Sequence, residues 1–459
     1  MMSGTIIDNT AVSPTNITEH MLDLDEEDDD LEVFSKQDTT NSSSFNASMQ
    51  TSPGSMINQY KFEEEERDVD AKDIFVTVDN PETHVNAIET YITYRVVTKT
   101  TRSEFDSSEF EVRRRYQDFM WLKGRLEEAH PTLIVHPLPE KFVMRGMVER
   151  FNEDFIETRK RALNRFLNKI AEHPIFSSSE DFKLFLTAET GALASHKKQG
   201  PGFLSRMGDS VRGLAATVRG IKNRPEEFTA MQEYVEAFGQ KMSSLDKVTQ
   251  RIVREQKEYL EELKECAPTY TLWSNSEEEL AEPLKCMAGS LDRCCKETEE
   301  QVKHLNDNLT PIIHEYVLCT DTLKTVLRRR DNIQAELEAK TEALIAKAAD
   351  KEVDSSVLGL AWDSLLGRSP EDVKQQKQGE MNEMREDLEK LDDRLEWANN
   401  ALKSDWTRWK KVMRTDLRSA FIDTAEKNVN YYEKCLAVWE SFLMSQKTDA
   451  EGREMLDSS

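Results

Sequence analysis

Three consecutive guanidinium groups stand at Arg113-Arg114-Arg115, with Tyr116 directly after them. The run closes a segment of alternating apolar residues and opens one with helical spacing. That position could bring the guanidinium groups together with backbone N–H groups near a helix N-terminus, where anions are stabilised. Phosphate recognition is the chemistry such a cluster could perform, and a solvated strand edge is the plain alternative. Catalysis has no comparable cluster. Eight histidines are scattered without an HExxH pattern, and His196-Lys197-Lys198 lacks the downstream Asp of a phospholipase D-type HxKxxxxD motif. No phosphate-cradling P-loop, GxSxG or kinase signature occurs. No enzyme, cofactor or metal is expected. Six cysteines (Cys266, Cys286, Cys294, Cys295, Cys319 and Cys435) show no CxxC spacing and read as reduced packing residues.

The elements that must position the arginines follow from periodicity. Ile74, Val76 and Val78 alternate with Phe75 and Thr77; Tyr91 to Val97 and Phe110 to Arg114 follow after polar turns, giving three strands. From Tyr116 the apolar spacing turns helical through Phe119, Leu122, Leu126 and Ala129, until His130-Pro131 ends it. A Pro-containing loop, His136-Pro137-Leu138-Pro139, precedes a helix over about 152–172 and a short one over 180–188. Together these make a compact α+β domain over residues 71–190.

Charge divides the 459-residue chain further. Its net charge is -26, yet residues 191–225 carry seven basic side chains against Asp209 alone. Within that island Phe203, Leu204, Met207, Val211 and Leu214 recur mostly every three or four residues with Arg206, Arg212 and Arg219 between them. This predicts a basic amphipathic helix in a 191–224 linker, suited to shallow insertion at a membrane surface. Residues 1–70 hold 3 basic and 17 acidic side chains and few aromatics, so they read as disordered. From Pro225 to about 446 the sequence is nearly all helical, punctuated by Pro268, Pro283 and Pro311 and interrupted over 364–370. Its last segment carries Leu391, Leu402, Trp406, Trp409, Leu417, Tyr432, Leu436 and Trp439 in a predominantly 3/4 rhythm, a coiled-coil seam that dimerisation would bury. Residues 447–459 read as a disordered tail. No run of 18 apolar residues and no signal-peptide pattern occur. A cytosolic protein with no nucleic-acid partner is expected; the overall acidity argues against anionic partners except at the one positive island.

Arg113-Arg114-Arg115-Tyr116-Gln117-Asp118-Phe119, Trp121-Leu122, Pro137-Leu138-Pro139-Glu140-Lys141 and Phe155-Ile156-Glu157-Thr158-Arg159 together resemble the phox-homology (PX) domain. The strings Phe203-Leu204-Ser205-Arg206-Met207-Gly208, Asn223-Arg224-Pro225-Glu226-Glu227-Phe228 and Asn430-Tyr431-Tyr432-Glu433-Lys434-Cys435 extend the resemblance to the PX-BAR sorting nexins over about 55–459.

The resemblance implies a PX domain of three antiparallel strands plus helices, then an all-α BAR-type three-helix coiled coil. It implies phosphatidylinositol 3-phosphate as ligand: Arg115 on the 3-phosphate, Tyr116 against the inositol ring, Gln117 as a polar contact, Lys141 at the 1-phosphate and Arg159 on the 4- and 5-hydroxyls. The loop departs from the family by carrying His136 where another Pro is usual. Early endosomal membrane, on its cytoplasmic side, and a heterodimer with a sorting nexin-4-type chain are the implied location and partner, serving cargo sorting and recycling. The alternative is a helical coiled-coil scaffold whose PX fold mainly binds protein.

Overall fold

Strand β1 (Ile74–Val85) buries Ile74, Val76 and Val78 and exposes Phe75, as its period-two pattern requires. It pairs antiparallel with β2 (Thr90–Thr100), and β2 with β3 (Glu109–Arg115), giving the sheet order β1-β2-β3. The computed structural model describes residues 73–85, 90–140, 152–199, 221–353 and 370–457. A register shift between Asp79 and Glu82 bends β1, and Asn80 takes the left-handed φ of 43° that this residue type tolerates.

Helix α1 (Tyr116–Ala129) starts directly after β3 and buries Phe119, Leu122 and Leu126. Helix α2 (Glu153–Ala171), capped by Asn152 accepting from the Asp154 N–H, lays Leu163, Phe166, Leu167 and Ile170 on the sheet. Two shorter helices follow, α3 (Glu180–Thr187) and α4 (Thr190–Gln199). The second of these occupies residues read from sequence as the start of a linker.

The helical half contains α5 (Glu226–Ser274), α6 (Ala281–His304), α7 (Thr310–Val353) and α8 (Pro370–Asp457). Pro268 was expected to punctuate the first of these; instead α5 runs through it to Ser274. A π-helical turn over Leu305–Leu309 joins α6 to α7. Pro311, the second residue after it, lacks the N–H that a regular helix would donate to the carbonyl of Asp307, which favours a wider turn there. Gly239 lets α5 approach α7, since a Cβ at that position would lie 2.6 Å from Cγ2 of Thr320.

The coiled-coil seam of α8 divides in two. Leu402, Trp406, Trp409 and Met413 pack inside the chain's own helical core with Phe228, Val235, Ile313 and Tyr316, so they are covered without a second chain. Phe421, Val429, Tyr432, Leu436 and Leu443 remain exposed, Tyr432 at 66% and Leu436 at 57%.

Candidate functional site: stacked arginines on a sheet domain locked to the helical arm

Strand alternation separates the three arginines that sequence spacing could have brought together. Arg114 points inward with Tyr94, its register partner, and is fully buried. Its Nε donates to the Phe185 carbonyl at 2.8 Å and its Nη2 to the Ala188 carbonyl at 2.5 Å, tying down the end of α3. Burial lowers its pKa to about 10. Arg113, on the opposite face, donates to Glu82 at 2.9 Å and to the Asn80 carbonyl at 2.8 Å, stitching the bulge of β1. Both are structural, which corrects the convergent cluster expected from the run.

Arg115 is the third. It lies opposite Thr93, and its guanidinium stacks 3.2 Å from the ring centroid of Tyr91, the diagonal neighbour on the same face. The Arg115 N–H donates to Asp118 Oδ2 at 2.7 Å, and Lys197 approaches the other oxygen of Asp118 at 2.9 Å. A carboxylate of the chain itself therefore occupies this helix N-terminus.

Tyr116 donates its hydroxyl to the Pro139 carbonyl at 2.5 Å, joining α1 to the Pro-containing loop. Burial raises its pKa, opposed by the neighbouring Arg159. The Arg159 guanidinium lies 4.4 Å from the ring centroids of both Tyr116 and Phe155, and its Nη2 donates to the Glu140 carbonyl at 3.4 Å. Gln117 is exposed at the start of α1. Lys141 lies outside the described residues, as do Phe203, Leu204, Met207, Val211 and Leu214. Sequence reasoning missed Tyr91 and the role of Phe155; an aromatic two residues before the register partner of Arg115, and one four residues before Arg159, were the available signals.

The sheet domain is fastened to the helical arm through carboxylates of α7 and α8. Asp405 of α8 accepts from the Ile134 N–H at 2.6 Å and from His173 Nε2 at 3.0 Å. Nδ1 of His173 accepts from the backbone N–H groups of Ile175 and Phe176, which places the ring proton on Nε2. Burial pushes His173 down to about 4, outweighing Asp405, so it donates as a neutral ring. Asp405 itself falls to about 2: burial raises it, but Arg408, His173 and the Ile134 N–H together lower it further. Glu315 of α7 bridges His136 at 2.6 Å and Arg165 at 2.5 Å, and Lys169 meets Asp416 at 2.6 Å.

Basic residues of the arm divide by partner. Arg330 is buried over Phe228 and donates to Asn399, Arg329 pairs with Glu127, Lys324 with Asp321, Lys403 with Glu227, Arg408 with Asp405, and Lys410 lies over Tyr234. Arg328, Lys411, Arg414 and Arg418 are exposed.

A three-stranded sheet with stacked arginine and aromatic side chains at its edge, followed by long packed helices, defines a PX domain joined to a BAR-type helical domain. The PX domain family model matches residues 102–189, and the Vps5 C terminal like model matches residues 204–445. The chain is 56% identical to sorting nexin-7 of Mus musculus over 411 residues, 90% of this chain and 97% of that protein. It is 55% identical to sorting nexin-7 of Homo sapiens, covering 88% and 96%, and 42% identical to sorting nexin-30 of Danio rerio, covering 90% and 88%. The cryo-EM structure of the SNX-BAR Mvp1 tetramer shares the fold, with a TM-score of 0.54 at 17% identity over 81% of this chain and 100% of that chain. This chain belongs to the sorting nexin family, as a PX-BAR member. That family is not enzymatic.

Proposed function

We propose that the chain is a peripheral protein of the early endosome that binds phosphatidylinositol 3-phosphate and curved membrane during cargo sorting and recycling. Arg115 takes the 3-phosphate, Arg159 the ring hydroxyls, Tyr116 the inositol face, with Gln117 and Lys141 as polar and 1-phosphate contacts. The carrying observation is the mounting of the two arginines: Arg115 rests on Tyr91, and Arg159 between Tyr116 and Phe155. Aromatic faces hold both cations in place before ligand arrives, which reduces the ordering cost of binding. Phe203, Leu204, Met207, Val211 and Leu214 are proposed as a membrane wedge.

Dimerisation is supported by two exposed seams. Leu245, Val248, Ile252 and Tyr259 of α5 and Val429, Tyr432, Leu436 and Leu443 of α8 are spaced by threes, fours and sevens along long helices. The acidic arm disfavours self-pairing, and a related PX-BAR chain of the sorting nexin-4 type is the proposed partner.

Flotation of the full chain with two vesicle compositions tests the lipid reading. One carries phosphatidylinositol 3-phosphate, the other an equal charge of phosphatidylserine. Preferential flotation with the first is expected; equal recovery would favour a PX fold that serves protein contacts.

A further inference from the structure

We infer that Glu315, on the helical arm, is a positioning residue for the phosphoinositide pocket, acting through His136 and Arg165; the inference rests on the pocket reading given above. Each of its two oxygens holds a different element, the Pro-containing loop and α2. Oε1 meets His136 Nε2 at 2.6 Å, at the head of the loop that runs to Glu140. Oε2 accepts from Arg165 Nε at 2.5 Å, on α2, six residues after Arg159. His136 and Glu315 are both only 10% exposed in their side chains, so solvent screens this contact little.

The loop is shaped to receive that grip. Leu133 and Val135 enter the core of the sheet domain, whereas Ile134 enters the helical core and its N–H donates to Asp405. This strand-like alternation sends His136, two residues after Ile134, toward the helical arm as well. Three residues on, the Pro139 carbonyl receives the Tyr116 hydroxyl and the Glu140 carbonyl receives Arg159. His314, beside Glu315, adds a weaker contact to the Glu140 carboxylate at 3.9 Å. One carboxylate outside the sheet domain thus bridges the loop that carries the acceptor of Tyr116 to the helix that carries Arg159, beside the direct bond from Arg159 to the Glu140 carbonyl. His136, the residue that departs from the family's usual Pro, is the handle.

Titration of the full chain with soluble dibutanoyl phosphatidylinositol 3-phosphate by calorimetry tests this, because membrane contacts of the arm contribute nothing to that reading. Glu315→Gln and His136→Ala should each weaken binding about five- to tenfold. The double variant should be no weaker than the worse single one, since both act through one contact. Arg115→Ala serves as the pocket control and should abolish binding. Wild-type affinity in Glu315→Gln and His136→Ala beside a dead Arg115→Ala overturns the positioning role alone. Wild-type affinity in Arg115→Ala overturns the pocket reading and the positioning role with it. Fully additive losses also overturn the shared contact. Should Glu315→Gln fail to fold, His136→Ala decides the matter: reduced affinity with an unchanged melting temperature supports the role, and wild-type affinity removes it.

Discussion

His173 and Asp405 meet at 3.0 Å across the boundary between the sheet domain and the helical arm, with side chains 2% and 3% exposed. Asp405 also holds the Ile134 N–H and Arg408, so a single buried carboxylate joins a strand-like segment, the end of α2 and its own helix. Replacing Asp405 by Ala leaves the Ile134 N–H and His173 Nε2 buried without an acceptor, at ~1–3 kcal/mol for each such donor. Chemical denaturation of the variant should show a loss of that order, with separation of the sheet and helical transitions.

The same pair sets an acid limit on stability. His173 titrates near 4 in the folded chain against an ordinary 6.5, so between those values the unfolded chain binds a proton that the native one excludes. Its contribution is complete above pH 6.5 and is lost as pH falls toward 4; Asp405, near 2 against 3.8, adds a second loss as pH falls below 4. Melting temperatures measured in steps from pH 8 to 4 should be level above 6.5 and decline below it. His173→Gln should flatten the decline between 6.5 and 4. An equal slope in that variant would contradict the assignment.

Adjacent arginines should fail in different ways. Arg114→Ala leaves the Phe185 and Ala188 carbonyls without their donors. The loss should be ~1–3 kcal/mol of stability, read by thermal melting. Arg115→Ala should melt as the wild type does and lose lipid instead.

Gly239→Ala should destabilise by ~1–3 kcal/mol, because its Cβ would overlap the side chain of buried Thr320 between α5 and α7. A melting temperature equal to the wild type would show that the two helices separate at no cost.

The exposed seams of α5 and α8 should decide assembly. An interface of obligate size, beyond ~2,000 Å² of total buried surface, is expected. Mass photometry should show the sorting nexin-4-type chain converting this one to a heterodimer. Tyr432→Glu with Leu436→Glu should prevent it while helix content stays unchanged.

Period-two alternation made the three strands and the inward face of β1 legible, and helical spacing located α1 and α2. The same alternation could have sorted the arginines, because Arg114 shares parity with Phe110 and Val112, which pack against the core. Pro268 was a misleading signal: one missing N–H did not overcome the packing along a 49-residue helix. The seam of α8 was visible as a rhythm, but spacing is the same whether a neighbour belongs to the same chain or another. Trp406 and Trp409 therefore read as dimer contacts although they pack internally. Glu315 and Asp405 were illegible among 87 acidic residues, since their roles arise from partners 150 to 271 positions away.

Flotation of Arg115→Ala beside the wild type on vesicles carrying phosphatidylinositol 3-phosphate tests the central claim most directly. The variant should lose most of its bound fraction, as expected when a charge partner worth ~2–5 kcal/mol is removed from a phosphate site, while its melting temperature is unchanged. Equal flotation of the two proteins would contradict the pocket and leave the PX fold without its proposed ligand.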